Sequence, residues 1–412
     1  MTHTVTDRFL RYVVIDTQSD PKSSTQPSTE KQKDLGGVLV EELLEIGVVD
    51  AHIEENGYIY ATIPSNVDKP VPVICFCSHM DTAPDFTGTN VKPQMVLNYG
   101  GGDIQLSPQQ IIRVSDNPAL RDQLGNDIIT TDGTTLLGAD DKAGIAEIMT
   151  AAQFLVDNPD IRHGTIKLLF TTDEEIGRGV DKVDLTKLGA QFAYTVDGET
   201  AGHIEDETFS ADGVEITITG VAIHPGFAKG KMENAIKIAG AAINRLPKDV
   251  APESTTGREG FVHPTGVTGS MEKAVISLIV RDFTDDGLTA KEAMLETLVK
   301  DVMANYPNSS YSFEVKEQYR NMKVILDRHP EIVENAVEAI RRAGMVPVRG
   351  SIRGGTDGSR LSFMGLPCAN IFAGGHAFHS PLEWISRQDM EKSVMTLVEL
   401  ATIWEERAKI MM

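Results

Sequence analysis

Three short apolar segments constrain the fold of this chain more than any other feature of its sequence. They are VPVICFC at 71–77, TIKLLFT at 165–171 and QFAYTV at 191–196. Each has the length of a strand and is nearly continuous in apolar residues, which is typical of strands buried on both faces of a sheet covered by helices. A stripe of apolar residues at helical spacing follows Lys142. The sequence therefore predicts an α/β domain with a central mixed sheet flanked by helices.

The pattern changes near residue 208. Between 208 and 321 the predicted order of elements is β-α-β-β-α-β, the ferredoxin-like split unit. After residue 322 the α/β pattern returns and ends in a long helix that begins near Ser386. We therefore predict one α/β domain in two parts, 1–207 and 322–412, interrupted by a small domain at 208–321. A cleft between the two domains is then the expected ligand site.

The composition excludes several classes of function. Among 412 residues, 60 are Asp or Glu and 38 are Lys or Arg, so the net charge of −22 disfavours binding to nucleic acids or to anionic membranes. Three cysteines are too few for a disulfide framework and fit a reducing compartment. The N-terminal segment does not resemble a signal peptide, and no apolar run approaches the ~20 residues that cross a bilayer. We expect a cytoplasmic protein.

Histidines and carboxylates follow nearly every predicted central strand. Taken singly, each has an ordinary explanation as a surface loop, a helix cap or a turn. Because ligands of open α/β sheets bind beyond the carboxyl ends of the strands, we expect these groups to converge. The residues are His79 and Asp81, Asp140 and Asp141, Glu174 and Glu175, Asp197, and His376 and His379.

These residue types indicate metal-assisted hydrolysis. Two histidines and three carboxylates suit two divalent ions of the zinc type that share one carboxylate. Such two-metal sites activate a water molecule for hydrolysis. Of two consecutive glutamates, one can bind metal while the other handles a proton. The helical zinc-protease arrangement is excluded because the sequence has no HExxH.

The segments HMD, GADDKAG, DEEIG and the last histidine segment resemble the M20 metallopeptidase family, and the resemblance extends over nearly the whole chain. It implies two Zn²⁺ ions, with Co²⁺ or Mn²⁺ as possible substitutes. It also implies that Glu174 is the general base for a metal-bound water, that Asp81 orients His79, and that the Asp140–Asp141 peptide bond is cis. The implied ligands are His79, Asp140 and Asp197 for one ion, and Asp140, Glu175 and His379 for the other, with Asp140 bridging.

The resemblance also assigns the inserted domain the role of a lid and dimerisation domain, and a homodimer is possible. His224, in IHPG, would stabilise the oxyanion, either in its own subunit or in a neighbour. Arg281, in VRDF, and Arg353, in IRGGTDG, would bind the C-terminal carboxylate of a peptide. Asn234 is a weaker substrate contact. Each of these also has an ordinary structural explanation as a turn, an ion pair or a cap.

Two features depart from the family pattern: the loop HSPLEW after the last metal histidine, and His376, which receives a structural role only. Longer segments, such as GADDKAGIAEIMTA and RGGTDG, resemble one member of the family more closely. This resemblance implies an aminopeptidase that hydrolyses the first bond of a tripeptide. The alternatives are another hydrolase of the family (a dipeptidase, carboxypeptidase or N-acyl-amino-acid deacylase) and a non-catalytic relative. A two-metal phosphate-ester hydrolase is disfavoured by the net charge and by the lack of a phosphate-cradling glycine loop.

Overall fold

The computed structural model describes residues 3–408. The chain forms two compact units. The first comprises the residues up to Asp206, Val324–Gly350 and those from Thr356 onward, and the second comprises Glu207–Lys323 and Ser351–Gly355.

Strands and helices alternate through most of the chain. The helices are α1 Val5–Val13, α2 Gln32–Ile46, α3 Ala139–Asp157, α4 Leu185–Leu188, α5 Ala235–Asn244, α6 Asp285–Met303, α7 Lys323–Leu326, α8 Pro330–Arg342, α9 Asp357–Met364 and α10 Arg387–Arg407. The strands are β1 His52–Ile53, β2 Ile59–Ile63, β3 Ile74–His79, β4 Gln94–Val96, β5 Ile104–Gln105, β6 Ile111–Ile112, β7 Ile128–Thr130, β8 Ile166–Thr171, β9 Phe192–Gly198, β10 His203–Thr208, β11 Ser210–Thr219, β12 Phe261–Gly269, β13 Lys273–Asp282, β14 Ser310–Tyr319, β15 Val348–Ile352, β16 Cys368–Phe372, β17 Gly375–His376 and β18 Trp384–Ser386.

An eight-stranded sheet organises the first unit, in the order β1-β2-β8-β3-β9-β16-β10-β15. Strands β8, β3, β9 and β16 are parallel to one another, whereas β2 and β10 are antiparallel to their neighbours. Every residue of β3 is buried. One face of the sheet carries Cys75 and Cys77 against Leu361, while Phe76 lies beside Tyr194. The predicted mixed α/β sheet with both faces covered is confirmed.

Two strand boundaries differ from the prediction in a way that matters for function. β3 extends to His79, because that residue still pairs with Thr171 of the parallel strand β8. β9 extends to Gly198, so Asp197 lies within the strand and not after it. Both side chains are therefore held by sheet backbone, which is more rigid than a loop.

The second unit contains a four-stranded antiparallel sheet in the order β12-β13-β11-β14. The order along the chain is β-α-β-β-α-β, with α5 and α6 as its helices. Its own apolar core includes Ile216, Ile238, Ile276 and Leu295. This is the ferredoxin-like arrangement that the sequence predicts.

The segment from about residue 84 to 131 received no prediction. It contributes β4 and β7 to a small sheet with β17 and β18, and β5 and β6 form a separate hairpin. Trp384 is fully buried in the apolar cluster that this segment builds. Within the described part of the chain, no helix combines the length and the apolar character needed to cross a bilayer. The cytoplasmic location stays a prediction.

Candidate metal centre

The five predicted metal ligands come from five different places in the first unit. His79 ends β3, Asp197 lies near the end of β9, and Glu175 lies in a short turn directly after β8. Asp140 lies in the first turn of α3, and His379 lies in the loop between β17 and β18. Since β3, β8 and β9 are parallel neighbours, their carboxyl ends bring three of these side chains to one edge of the sheet.

Asp140 connects two groups of side chains. Its Oδ1 lies 2.9 Å from Nε2 of His79, which in turn lies 3.7 Å from Oδ1 of Asp197. Its Oδ2 lies 3.2 Å from Nε2 of His379, which lies 2.9 Å from Oε2 of Glu175. One carboxylate thus directs a different oxygen to each group, which is the geometry that a bridging ligand requires.

The donor set fits divalent cations. The potential ligand atoms of His79, Asp140 and Glu175 lie within 4.8 Å of one another, as do those of His79, Asp141 and Asp197. Oε1 of Glu175 is buried and has no hydrogen-bond partner in the described structure. Such an orphaned buried oxygen among carboxylates and imidazoles is satisfied by a metal ion.

The sequence pattern makes Asp140 and Asp141 a candidate cation-binding pair, whereas the family resemblance implies a ligand role for Asp140 alone. The structure places Asp141 in the group with His79 and Asp197. Its carboxylate accepts hydrogen bonds from the Ser78 hydroxyl and from the main-chain N–H of His79, the latter at 3.3 Å. The Asp140–Asp141 peptide bond is cis, as the family resemblance implied. The side chains of the two consecutive aspartates contact different partners: Asp140 contacts His79 and His379, and Asp141 contacts Ser78.

The surrounding carboxylates raise the pKa of both imidazoles. Burial lowers the pKa of His79, but hydrogen bonds with Asp140, Asp197 and Asp81 more than offset it, so its pKa lies well above the ordinary value. Burial also lowers the pKa of His379, and Asp140 and Glu175 together raise it to about 11. The same two imidazoles hold the pKa of Asp140 below its usual range despite burial.

The other carboxylates retain protons more strongly. Burial and the nearby charge of Asp140 raise the pKa of Glu175 to about 8 and that of Asp197 to about 6. Burial raises the pKa of Glu174 well above its ordinary value, and the charges of Asp357 and Asp197 add to this effect. Crowded carboxylates of this kind are stabilised by cations, which favour their ionised forms.

Main-chain contacts fix the two glutamates. The N–H groups of Glu174 and Glu175 donate to the two carboxylate oxygens of Asp81 at 2.9 and 3.2 Å. Nδ1 of His79 lies 3.0 Å from the main-chain oxygen of Asp81 and 3.5 Å from its Oδ1. Asp81 thus contacts the imidazole it was predicted to orient, but its carboxylate lies closest to the glutamate turn.

Two further buried acids adjoin the site and were not found in the sequence. Asp357 accepts the Thr171 hydroxyl at 2.7 Å, and burial raises its pKa to about 7. Glu383 accepts three main-chain N–H groups around the start of α3. Both belong to motifs that the sequence analysis quoted, RGGTDG and HSPLEW, but neither position has a spacing that signals a buried role.

The predicted substrate-binding residues all lie in the second unit. His224 is exposed and precedes a short turn, and its Nδ1 accepts the Gly226 N–H at 3.1 Å. Its Nε2 therefore carries the proton in the neutral ring. Asn234 caps helix α5, with Oδ1 accepting the N–H groups of Ile236 and Lys237.

The two arginines differ in the number of hydrogen bonds that their guanidinium groups make within the second unit. Arg353 donates to the carbonyl oxygens of Gly257 and Glu259 at 2.9 and 2.8 Å and to the Thr255 hydroxyl, and its guanidinium lies over two phenylalanine rings. Among the described residues 3–408, Arg281 donates only through Nη1, to the carbonyl oxygens of Asp212 and Val280, and its guanidinium lies over the Tyr319 ring.

Comparison with known proteins matches these observations to a family. The family model described as Peptidase family M20/M25/M40 matches residues 132–403. The chain belongs to this peptidase family. Curated relatives named Peptidase T, from Geobacillus thermodenitrificans and Clostridium perfringens, are 50% and 47% identical to it over 403 residues each. These matches cover 97% and 98% of this chain and 98% and 99% of the relatives. The protein is therefore a peptidase, and its substrates are peptides.

Solved structures show the same fold. An aminopeptidase from Bacillus cereus superposes with a TM-score of 0.74 at 23% identity, covering 97% of this chain and 98% of that one. A Staphylococcus aureus tripeptidase gives 0.75 at 21% identity, with 98% of each chain covered. A Bacillus subtilis protein described as a dinuclear metal-binding peptidase of the M20 family gives 0.64 at 16% identity, again over 98% of each chain.

Proposed function

We propose that this peptidase is a two-metal aminopeptidase that releases the N-terminal residue of tripeptides. The observation that carries this proposal is the position of Asp140, with Oδ1 near His79 and Oδ2 near His379. The names of the relatives that are about half identical to the chain support it, as do the aminopeptidase and tripeptidase that share its fold.

Zinc is the metal that best suits the donor set of imidazoles and carboxylates. When bound, two zinc ions would polarise the scissile carbonyl and lower the pKa of a water molecule toward ~7. The proposed ligands are His79, Asp140 and Asp197 for one ion and Asp140, Glu175 and His379 for the other.

Glu174 is the proposed general base. Its carboxylate takes a proton from the attacking water and delivers it to the amine that leaves. Its main chain is bonded to Asp81, and the preceding residue, Asp173, is buried and accepts hydrogen bonds from Ser28 and Gln32. This turn therefore holds the base in one orientation, as proton transfer requires.

The peptide itself would be bound through His224, Arg281, Arg353 and Asn234. His224, with the proton on Nε2, is suited to donate a hydrogen bond to the developing oxyanion. A guanidinium that binds the C-terminal carboxylate would measure the length of the substrate and so favour tripeptides. Arg281 suits this task better than Arg353, because more of its donors remain available. The lid and dimerisation roles of the second unit stay predictions.

A substrate panel tests the proposal. The zinc- or cobalt-loaded enzyme is given a free tripeptide and the corresponding dipeptide, tetrapeptide and N-acylated tripeptide, and released amino acids are separated by chromatography. We expect release of the first residue from the free tripeptide only. Cleavage of the acylated or shorter substrates would replace the tripeptidase assignment with another hydrolase of the family, and no cleavage of any substrate would indicate a non-catalytic relative.

A further inference from the structure

The loop HSPLEW at 379–384 contains a buried acid with an unusual set of partners. Oε2 of Glu383 accepts the N–H groups of Leu137 and Gly138 at 2.6 and 2.8 Å, and Oε1 accepts the Asp140 N–H at 3.1 Å. The side chain is 1% exposed. One carboxylate thus accepts hydrogen bonds from three main-chain N–H groups within four residues, at the start of α3.

Helix α3 cannot cap this end by itself. The first N–H groups of a helix have no partner within the helix, and a side chain at the N-cap ordinarily satisfies one of them. The N-cap of α3 is Gly138, in a left-handed conformation with a φ of 80°, which provides no side chain. Glu383, from a distant part of the sequence, accepts the Asp140 N–H in this first turn, where Asp140 itself departs from helical φ and ψ, and the N–H groups of Leu137 and Gly138 just before it. Its negative charge is also favourable at a helix N-terminus.

The segment that carries Glu383 is also held in place by buried contacts. Glu383 is followed by Trp384, which is fully buried and stacks on His376 with ring centroids 4.2 Å apart. His376 and Trp384 are paired residues of β17 and β18, so they close the loop that carries His379. Within that loop, the Glu383 N–H donates to the Ser380 carbonyl oxygen at 3.3 Å. His376, to which the sequence analysis gave a structural role only, thereby helps to anchor Glu383.

We propose that Glu383 is a positioning residue that ties the His379 loop to the start of α3 and so sets Asp140 between the two metal sites. This inference rests on the proposed two-metal function. Asp140 must direct one oxygen toward His79 and the other toward His379, and both distances change if α3 moves relative to the loop. The contact acts on both ions through the ligand that they share. Outer partners of metal ligands affect metal affinity by about 10–100-fold.

The test measures metal binding and does not need peptide hydrolysis. In Glu383→Gln one carboxylate oxygen becomes an amide NH₂, which faces main-chain N–H groups and cannot accept from them. Co²⁺ is titrated into metal-free protein, with the visible absorption spectrum and the binding affinities recorded. We expect the wild type to bind two equivalents. We expect Glu383→Gln to lose about 10–100-fold in affinity and to show a changed spectrum, while the metal-free protein melts close to the wild-type temperature.

Glu147→Gln is the matched control. Glu147 lies in the same helix and is fully buried, and its Oε2 accepts the Ser393 hydroxyl at 2.6 Å. This variant makes the same chemical change without touching the first turn, so it should retain both affinities. Equal loss in the two variants would show a general effect of replacing a buried glutamate in α3 and would overturn the role of Glu383.

The remaining outcomes are also decisive. A wild-type protein that binds no Co²⁺ contradicts the proposed metal site itself. If Glu383→Gln binds both Co²⁺ ions with wild-type affinity, the positioning role is overturned and the proposed function is left intact. If Glu383→Gln does not fold, Glu383→Asp replaces it, since the shorter carboxylate keeps the charge but withdraws from the N–H groups. Weaker Co²⁺ binding by the folded Glu383→Asp protein supports the inference, and unchanged binding overturns it.

Discussion

Glu174 and Glu175 are adjacent in sequence but meet different surroundings. Oε2 of Glu175 lies 2.9 Å from His379, within one of the two ligand groups. Glu174 is instead affected by the charges of Asp357 and Asp197, which add to the effect of burial in raising the pKa of its side chain. Asp173, which directly precedes the two glutamates and begins their short turn, has a left-handed φ of 65°. We propose that the division of labour between ligand and base follows from these different surroundings.

We expect Glu174→Gln to reduce kcat by about 10²–10⁴, because the amide cannot take up the proton of the attacking water. Its zinc content, measured by elemental analysis, should stay at the wild-type value. Glu175→Gln is the comparison, and it should bind less zinc because it replaces a ligand. Loss of metal from Glu174→Gln, or full occupancy with full activity in Glu175→Gln, would reverse the two roles.

We expect substitution of Arg281 to affect substrate binding and substitution of Arg353 to affect stability. Arg281→Ala should raise KM for a free tripeptide by about 10–100-fold, the effect of losing one charge-assisted pair with a carboxylate. Its melting temperature should change little. Arg353→Ala should instead lower the melting temperature, because it removes three hydrogen bonds and the stacking on Phe209 and Phe261. A tripeptide amide serves as the control substrate, since Arg281→Ala should leave its KM unchanged.

Among the elements, helix α3 packs unusually closely on the central sheet. A Cβ atom at Gly144 would lie 1.9 Å from the carbonyl oxygen of Val196 in β9 and 2.5 Å from Oδ1 of Asp141. Only glycine allows the helix to approach the strand that carries Asp197 so closely. The helix and the strand carry Asp140 and Asp197, two of the proposed metal ligands, so this close packing helps to set the distance between them.

Gly144→Ala should destabilise the fold by about 1–3 kcal/mol or more, because it forces α3 away from β9. Its metal content should fall as well. Gly37→Ala is the matched control in helix α2, where an added Cβ meets nothing within 4 Å. That variant should be stabilised by about 0.5–1 kcal/mol through the lower entropy of its unfolded state. Urea denaturation of the metal-free proteins measures both, and a Gly144→Ala protein as stable as Gly37→Ala would contradict the tight packing.

For the molecule as a whole, buried acids outside the ligand set make stability depend on pH. Burial raises the pKa of Glu205 from the ordinary value of 4.5 to about 8. Between these values the unfolded chain releases the proton while the folded protein keeps it. Stability therefore falls as pH rises through this window, by up to about 1.4 kcal/mol per pH unit. Below pH 4.5 both states hold the proton, so the contribution is fully present there.

Glu205→Gln should flatten this decline, since the amide has no proton to lose. We would measure urea unfolding of the metal-free protein between pH 5 and 8. Glu45→Gln controls for the loss of one charge, because Glu45 is exposed on helix α2. Parallel pH profiles for wild type and Glu205→Gln would show that Glu205 does not carry the effect.

Metal removal should act on the whole molecule through the same ligands. The proposed ions bind only the folded chain, so they stabilise it by about 2.7 kcal/mol for each ion at a free concentration 100 times its Kd. We expect a chelator to abolish peptide hydrolysis and to lower the melting temperature by several degrees, and added Zn²⁺ to restore both. The double variant Asp140→Asn/His379→Ala should melt at one temperature with and without chelator. A chelator-dependent shift in that variant would place the stabilising metal elsewhere.

The sequence by itself determined the fold class and identified most of the proposed site residues. Continuous apolar runs predict strands covered on both faces, and the acids and histidines that follow them are brought to one sheet edge by parallel strand order. These are local patterns, and they need no knowledge of distant contacts. Resemblance to the family then implied a role for each residue of the proposed ligand set and for Glu174.

Only the tertiary structure decided which side chains support those residues. The role of Glu383 depends on contacts with Leu137, Gly138 and Asp140, more than 240 positions earlier in the chain. The different surroundings of Arg281 and Arg353 likewise arise from main-chain oxygens that the sequence pattern does not bring together. Periodicity and spacing report what a residue's neighbours along the chain require. Hydrogen bonds between distant segments depend on how the folded elements pack, and so they become visible only in three dimensions.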